Sequence, residues 1–267
     1  MKRKTVYTII LICCIVGFWV FDNFYTPATY SDESQKGLVT EIAFDFLPSS
    51  TTGAVINHSH FALSYNEPYE QAEWVAYTLK REHLTKDQRK RPYFIEDPKV
   101  KTKSADWRNY KGSGYDRGHL CPAGDRKFSE QAYNETFYTS NISPQDRAFN
   151  AGIWNRLEMQ VRLWAKQHGE IFVVTGGVLE NGLEEIGEED VDVPRYYYKI
   201  LAKQEGNSTK MLGFLFLGKE STKPLREFAV TVDEIEERTG IDFFEKLSDK
   251  VEADLESTID VTGWRFQ

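Results

Sequence analysis

The sequence predicts an α+β fold on three observations. Residues 196–202 and 211–217 alternate apolar and polar side chains around Glu205-Gly206-Asn207, the pattern of two strands joined by a turn. Residues 171–175 (IFVVT) form a short apolar run closed by Gly176-Gly177, as in a buried strand. Residues 148–167 carry Ile153, Leu157, Val161 and Trp164 at i, i+4, i+8 and i+11, which is one apolar stripe of a helix facing a core.

The chain has 267 residues, enough for two domains or one large one at about 150 residues each. Its composition, 40% hydrophobic and 28% charged, excludes a collagenous, mucin-like or wholly disordered protein. Of its three cysteines, Cys13 and Cys14 lie near the N-terminus and only Cys121 remains for the body. One thiol makes neither an intrachain bridge nor a Cys-rich zinc site, so Cys121 is expected to be a small packed residue.

In chain order, Lys2, Arg3 and Lys4 precede an uncharged run over residues 5–21, which ends in Phe18, Trp19, Phe21, Phe24 and Tyr25. A basic start, a short membrane-length span and an aromatic belt point to an uncleaved membrane anchor. A cleaved signal peptide is the alternative, but Ala28-Thr29-Tyr30 is a poor cleavage site. Positive charge stays on the cytoplasmic side, which puts the body outside the cytoplasm, in the periplasm or at the cell surface; secretion after cleavage is the alternative. Residues 22–37 read as a polar tether and 38–267 as one domain.

Within that domain, residues 39–46 and 61–65 read as strands, and 71–83 as a strand or a short helix. Residues 232–239 read as a helix stopped by Gly240, and 242–250 as a further helix. Residues 184–192 (EEIGEEDVD) read as an exposed acidic loop without the ligand spacing of a calcium loop.

The net charge is −8, or −11 once the three N-terminal cations are set aside. Alone, that argues against a nucleic-acid binder. Residues 80–127, however, hold 14 Lys/Arg against 7 Asp/Glu. A basic block in an acidic body is a candidate polyanion site, because phosphate affinity comes from local Lys and Arg. A solvated basic face is the bland alternative. On the middle helix, with Asn150 as origin, Glu158 lies at about 80° and Arg162 at about 120°, so an amide, a carboxylate and a guanidinium share one flank beside the buried stripe. A polar helix flank is common and does not by itself define a site.

Motif order makes the reading specific. Asp116-Arg117-Gly118-His119 is followed by Ser140-Asn141-Ile142-Ser143-Pro144-Gln145 and then by Asn150-x-Gly152-x-Trp154-x-x-Leu157-Glu158. These three blocks resemble the DNA/RNA non-specific endonuclease family, which belongs to the ββα-metal (His-Me finger) nucleases. Residues 228–240 are similar to the family's C-terminal region, and the likeness spans about residues 62–244. Mitochondrial endonuclease G has the same arrangement, although this N-terminus lacks the Arg-rich amphipathic character of a transit peptide.

The resemblance implies a ββα-metal fold, with a central, mainly antiparallel sheet flanked by helices. It also implies hydrolysis of phosphodiester bonds in DNA and RNA, read through backbone phosphates, with one Mg²⁺ (Mn²⁺ as the alternative). On it, His119 is the general base and Asn150 the metal ligand, a hard amide oxygen suited to Mg²⁺. Glu158 matches a carboxylate that reaches the metal through water, and Asn141 a residue that supports the site. Arg117 and Arg162 match phosphate- and transition-state-binding arginines, and Arg91 a further arginine ahead of Asp97-Pro98, with Arg89 a near competitor. His58, His60, His83 and His168 are expected to be structural.

A catalytically inactive nucleic-acid-binding module on the same fold is the competing reading, and a phosphodiesterase for small esters a third. Retention of His119, Asn150, Glu158 and Arg117 together favours the active enzyme. A homodimer is left open.

Overall fold

The computed structural model describes residues 3–27, 29–30, 47–206 and 208–266. The strand expected over residues 39–46 lies outside them.

Helix α1 (Arg3–Phe24) comes first. Strands β1 (Val55–Asn57), β2 (Ala62–Asn66) and β3 (Gln71–Lys80) follow as an antiparallel meander. Strand β4 (Asp116–His119), helix α2 (Glu130–Glu135) and strand β5 (Ile142–Gln145) come next. A short helix α3 (Arg147–Phe149) leads through the wide turn Asn150–Trp154 into α4 (Asn155–His168). Then come β6 (Glu170–Gly177), β7 (Glu184–Ile186), β8 (Val191–Val193), β9 (Tyr196–Glu205), β10 (Ser208–Leu217) and β11 (Ala229–Val230). Helices α5 (Val232–Thr239) and α6 (Asp249–Glu256) close the chain.

Among the described residues, seven strands form one antiparallel sheet in the order β1-β2-β3-β6-β9-β10-β11. Both of its faces are covered. On one face Leu79, Val173, Leu201 and Phe214 share a core with Ile153, Leu157, Val161 and Trp164, the stripe read from the sequence. Each fully buried apolar side chain of this kind contributes about 1.5–3 kcal/mol. On the other face Val174, Tyr198, Ile200 and Met211 pack with Ile235, Phe243 and Phe244. Burial on two sides explains the ambiguous pattern of residues 71–83: β3 is buried along nearly its whole length, so its strand alternation is masked. It runs to Lys80, and a single 3₁₀ turn, Arg81–His83, ends it.

The strand pair around Glu205-Gly206 forms in full register, from Ser208 opposite Glu205 to Leu217 opposite Tyr196. Helix α5 ends as expected at Gly240, which takes φ 69°, and its start is capped by Thr231 Oγ1, which accepts the Glu234 N–H at 3.1 Å.

Three expectations are corrected. The helix read over residues 242–250 starts only at Asp249, because Phe243 and Phe244 turn into the core and Phe244 adopts φ 78°. The acidic stretch 184–192 is not a loop but the hairpin β7–β8, held down by buried Ile186, Val191 and Val193 against Tyr110 and Ile142. The middle helix is not continuous: it breaks at Gly152, whose φ −100° and ψ −108° lie outside the helical region.

Candidate active site

Strands β4 and β5 form a two-stranded ribbon of their own, with His119 opposite Ile142, Gly118 opposite Ser143 and Asp116 opposite Gln145. Gly118 is required by space, since a Cβ there would fall inside the side chain of buried Gln145. Gly118→Ala is expected to cost about 1–3 kcal/mol, the usual penalty of overpacking, and to slow any cleavage by displacing its neighbour His119. Thermal melting and a cleavage assay on the same sample check it.

Asn141 stands just before β5 and is fully buried. Its Oδ1 accepts the Cys121 N–H at 2.8 Å, and its Nδ2 donates to the carbonyls of Cys121 at 3.0 Å and Thr136 at 2.9 Å. It therefore pins the backbone two residues beyond His119 and reaches no solvent.

The His119 ring packs on Phe94 (centroids 5.6 Å apart) and edge-on to Phe137 (4.9 Å). Burial, and after it the charges of Arg91 and Arg117, lower its pKa to about 3, so the imidazole is neutral at pH 7. Its Nε2 is closed off from solvent and has no partner among the described residues. Phe94 also gathers the two arginines: Arg117 Cζ lies 4.7 Å and Arg91 Cζ 5.3 Å from its centroid. Arg89 is turned elsewhere, donating to the Lys127 carbonyl at 2.8 Å and facing Asp87 at 3.5 Å. Of the two competitors, Arg91 is the one beside His119.

The wide turn and α4 carry the other candidate residues. Asp146 starts the turn, accepting from Phe149 N–H at 2.9 Å through its side chain and from Asn150 N–H at 2.8 Å through its carbonyl. Asn150 Nδ2 donates to Asp116 Oδ2 at 3.2 Å, so hairpin and helix are tied directly. That bond assigns the amide nitrogen to Asp116 and leaves Oδ1, a hard oxygen, for a cation. The break at Gly152 fits this geometry. Ile153 N–H donates to Glu220 Oε2 at 2.7 Å, and a Cβ at residue 152 would collide with that carboxylate.

One turn further along, Glu158 accepts from Arg162 Nη2 at 3.2 Å. Arg162 Nε in turn reaches Asp125 Oδ1 at 2.5 Å, and Tyr77 OH donates to Asp125 Oδ2 at 3.4 Å. Under them lies Lys199, fully buried, donating to Thr175 Oγ1 at 3.2 Å and resting 4.6 Å over the Trp154 ring. Burial raises the Glu158 carboxyl, while Arg162 and then Lys199 oppose it. Burial also lowers Lys199 to about 8, against the pull of Glu158 and Asp125. Two carboxylates and two cations thus share one enclosed cluster.

The profile of the DNA/RNA non-specific endonuclease family matches residues 41–250. The chain belongs to that family. It is 35% identical to human mitochondrial nuclease EXOG, over 80% of this chain and 62% of that protein. It is 34% identical to the Xenopus laevis protein of the same name, over 88% and 69%. Against nuclease C1 of Cunninghamella echinulata var. echinulata the figures are 31%, 81% and 92%. The chain thus spans roughly two thirds of the length of the EXOG relatives. The solved structure of EndoG in complex with EndoGI superposes with a TM-score of 0.70 at 28% identity, covering 87% of this chain and 97% of that one.

In this family member the basic block is not one surface. Arg126 is fully buried and donates to the carbonyls of Asp125, His60 and Thr78. Arg81 and Arg89 donate to carbonyls as well. The members of the block that stand beside His119 are Arg91 and Arg117. The structural histidines behave as expected: His58 Nε2 meets Asp97 Oδ2 at 2.8 Å, and His83 Nδ1 accepts the Lys80 N–H at 3.3 Å. Cys121 is buried, and burial lifts its thiol to about 12, so it is an inert packing residue.

Two members of the charged cluster around Glu158 escaped the sequence reading. Asp125 gave no signal. Lys199 did: it is a lysine in mid-strand, on the same side of β9 as Tyr197 and Leu201.

Over Arg3–Phe21 helix α1 is exposed, with a mean hydropathy of 2.1. Among the described residues it alone is long and apolar enough to cross a membrane, a property that signal sequences share. The described part of the tether is not a free spacer. Thr26 Oγ1 accepts from Trp107 Nε1 at 3.1 Å and Arg108 Nη2 at 3.0 Å, and Tyr30 OH donates to the Tyr93 carbonyl at 2.8 Å. Phe21 and Tyr25 thereby line a groove of ≈ 340 Å³ together with Arg91, Phe94, Trp107 and Arg117.

Proposed function

We propose that the protein is a metal-dependent, sugar-nonspecific endonuclease that hydrolyses phosphodiester bonds in DNA and RNA. The observation that carries this reading is the direct tie between the His119 hairpin and the Asn150 turn, the Asp116–Asn150 hydrogen bond of 3.2 Å, beside the Arg91–Arg117 pair.

His119 acts as the base. A neutral imidazole accepts a proton from water, and with Nε2 enclosed the accepting atom is Nδ1. Arg91 and Arg117 bind the phosphate, and Arg117 meets its oxygens in the transition state. Arg162 spends Nε and Nη2 on Asp125 and Glu158, which leaves Nη1 for the substrate. Glu158, oriented by Arg162, holds a water at the mouth of the site, and Asn141 keeps the His119 hairpin in place. Asn150 Oδ1 would hold Mg²⁺, with Mn²⁺ as the alternative; when bound, the ion neutralises phosphate charge and stabilises the leaving oxygen. An inactive binding module is disfavoured because His119, Asn150, Glu158 and Arg117 are all retained in the sequence.

The test is incubation of purified protein with plasmid DNA and with RNA, with and without EDTA. Cleavage of both polymers that stops in EDTA is expected; undiminished cleavage in excess EDTA would remove the metal from the mechanism. Arg117→Ala is expected to weaken DNA binding and to flatten its salt dependence by about 0.9 log units per decade, the share of one phosphate contact. Affinity measured in calcium across a salt series checks this, and an unchanged slope would show that Arg117 touches no phosphate.

We also propose that α1 anchors the protein, with the body on the side of the membrane opposite Lys2, Arg3 and Lys4. Its length, hydropathy and full exposure support this reading. N-terminal sequencing of the mature protein is expected to recover residues before 21. A mature N-terminus beyond residue 25 would make it a secreted enzyme instead.

A further inference from the structure

We propose that α5 and α6 hold a calcium-class divalent cation between Asp233, Glu236 and Glu256, on the face of the sheet opposite α4. One carboxylate oxygen from each of the three lies within 4.8 Å of the other two. Oxygens that share one cation at about 2.3–2.6 Å stand at such separations. The set is all oxygen, with no His or Cys, which suits a hard cation rather than zinc.

The second observation is Glu256 itself. It is 5% exposed, and its Oε1 is shut off from solvent with no hydrogen-bond partner among the described residues. A buried carboxylate oxygen without a donor is costly, and a cation is the partner that this cluster lacks. The neighbouring charges make the need larger. Glu236, Glu252, Asp233 and Asp242 all add negative charge around the Glu256 carboxyl.

The basic side chain of each helix is committed elsewhere. Arg238 of α5 donates to Glu234 at 3.2 Å and stacks over Tyr196, and Lys250 of α6 donates to Asp254 at 2.8 Å. Glu236 is pinned by the Phe243 N–H, which donates to its Oε1 at 2.8 Å. Asp233 is exposed, so an ion can enter with its remaining waters. The bound ion would fasten α6 to α5 and through it to the sheet.

The test uses the full chain, stripped with EDTA and titrated with calcium chloride by calorimetry and thermal melting. A cation that binds only the folded state raises the melting temperature with its concentration. An affinity of about 10⁻⁴–10⁻³ M is expected, as in sites of low ligand count. Glu256→Gln should lose one calcium per chain and the calcium-dependent part of the melting shift, while plasmid cleavage in magnesium stays at the wild-type rate. If Glu256→Gln does not fold, the exposed Asp233→Asn replaces it, with at least a tenfold loss of affinity expected. Variants that bind calcium with wild-type stoichiometry and melting shift would overturn the proposal. So would a wild-type protein whose melting ignores calcium.

Discussion

His119→Ala is expected to lower turnover on plasmid DNA by about 10²–10⁴-fold, the contribution of a positioned general base. At about 1.36 kcal/mol per decade this is roughly 3–5 kcal/mol of transition-state stabilisation. Binding to DNA in calcium should survive, because in the proposed mechanism the imidazole acts on water and Arg91 and Arg117 hold the phosphate. The pH dependence should be unusual for a histidine base. With a pKa lowered to about 3, His119 stays neutral from pH 8 down past pH 5, so kcat/KM should show no inflection near the ordinary histidine value. On the proposed mechanism the acid limb is expected from Glu158, whose carboxyl burial has raised. Stability carries the same signature: the unfolded chain binds a proton below about pH 6.5 and the folded one does not, so stability falls as pH drops toward 3, and His119→Ala should remove that share. Single-turnover cleavage and melting curves over a pH series decide it. Wild-type turnover in the variant would reassign the base.

Lys199→Met is expected to have the largest effect of any residue outside the three motif blocks. Lys199 is fully buried among Glu158, Asp125 and Arg162, and the four charges balance. Removing one cation leaves an uncompensated carboxylate in the core, a loss of about 3–5 kcal/mol. At roughly 2–4 °C per kcal/mol for a chain of this size, the melting point should drop by about 6–20 °C. The cluster relieves part of that cost by protonating Glu158, so the acid limb of the rate should move to higher pH. Pairing Lys199→Met with Glu158→Gln should cost less than the sum of the two single changes, because the double variant restores neutrality. Additive losses and an unmoved pH profile would make Lys199 a mere spacer under Trp154.

How much of this was legible follows the range of each interaction. The apolar stripe of α4, the β9–β10 pair and the Gly240 end of α5 are written in side chains a few positions apart, and the sequence alone determined them. So were the three motif blocks that led to His119, Asn150, Glu158 and Asn141, since their order and gaps survive without coordinates. The tertiary structure decided what depends on contacts between distant segments. Gly152 breaks the middle helix because Glu220, after β10, supplies the carboxylate that caps Ile153. Residues 242–248 leave the helix because Phe243 and Phe244 gain more by entering the core than by continuing a helical turn. The acidic hairpin forms because Ile186 and Val191 find Tyr110 and Ile142. Arg91 rather than Arg89 stands at the site because Phe94 and Phe137 offer it their faces, while Arg126, equally basic on paper, is walled into the core by three carbonyls. Charge and spacing are local properties that a sequence displays; burial, which decides whether a charge binds substrate or a neighbouring carbonyl, exists only once the chain has folded.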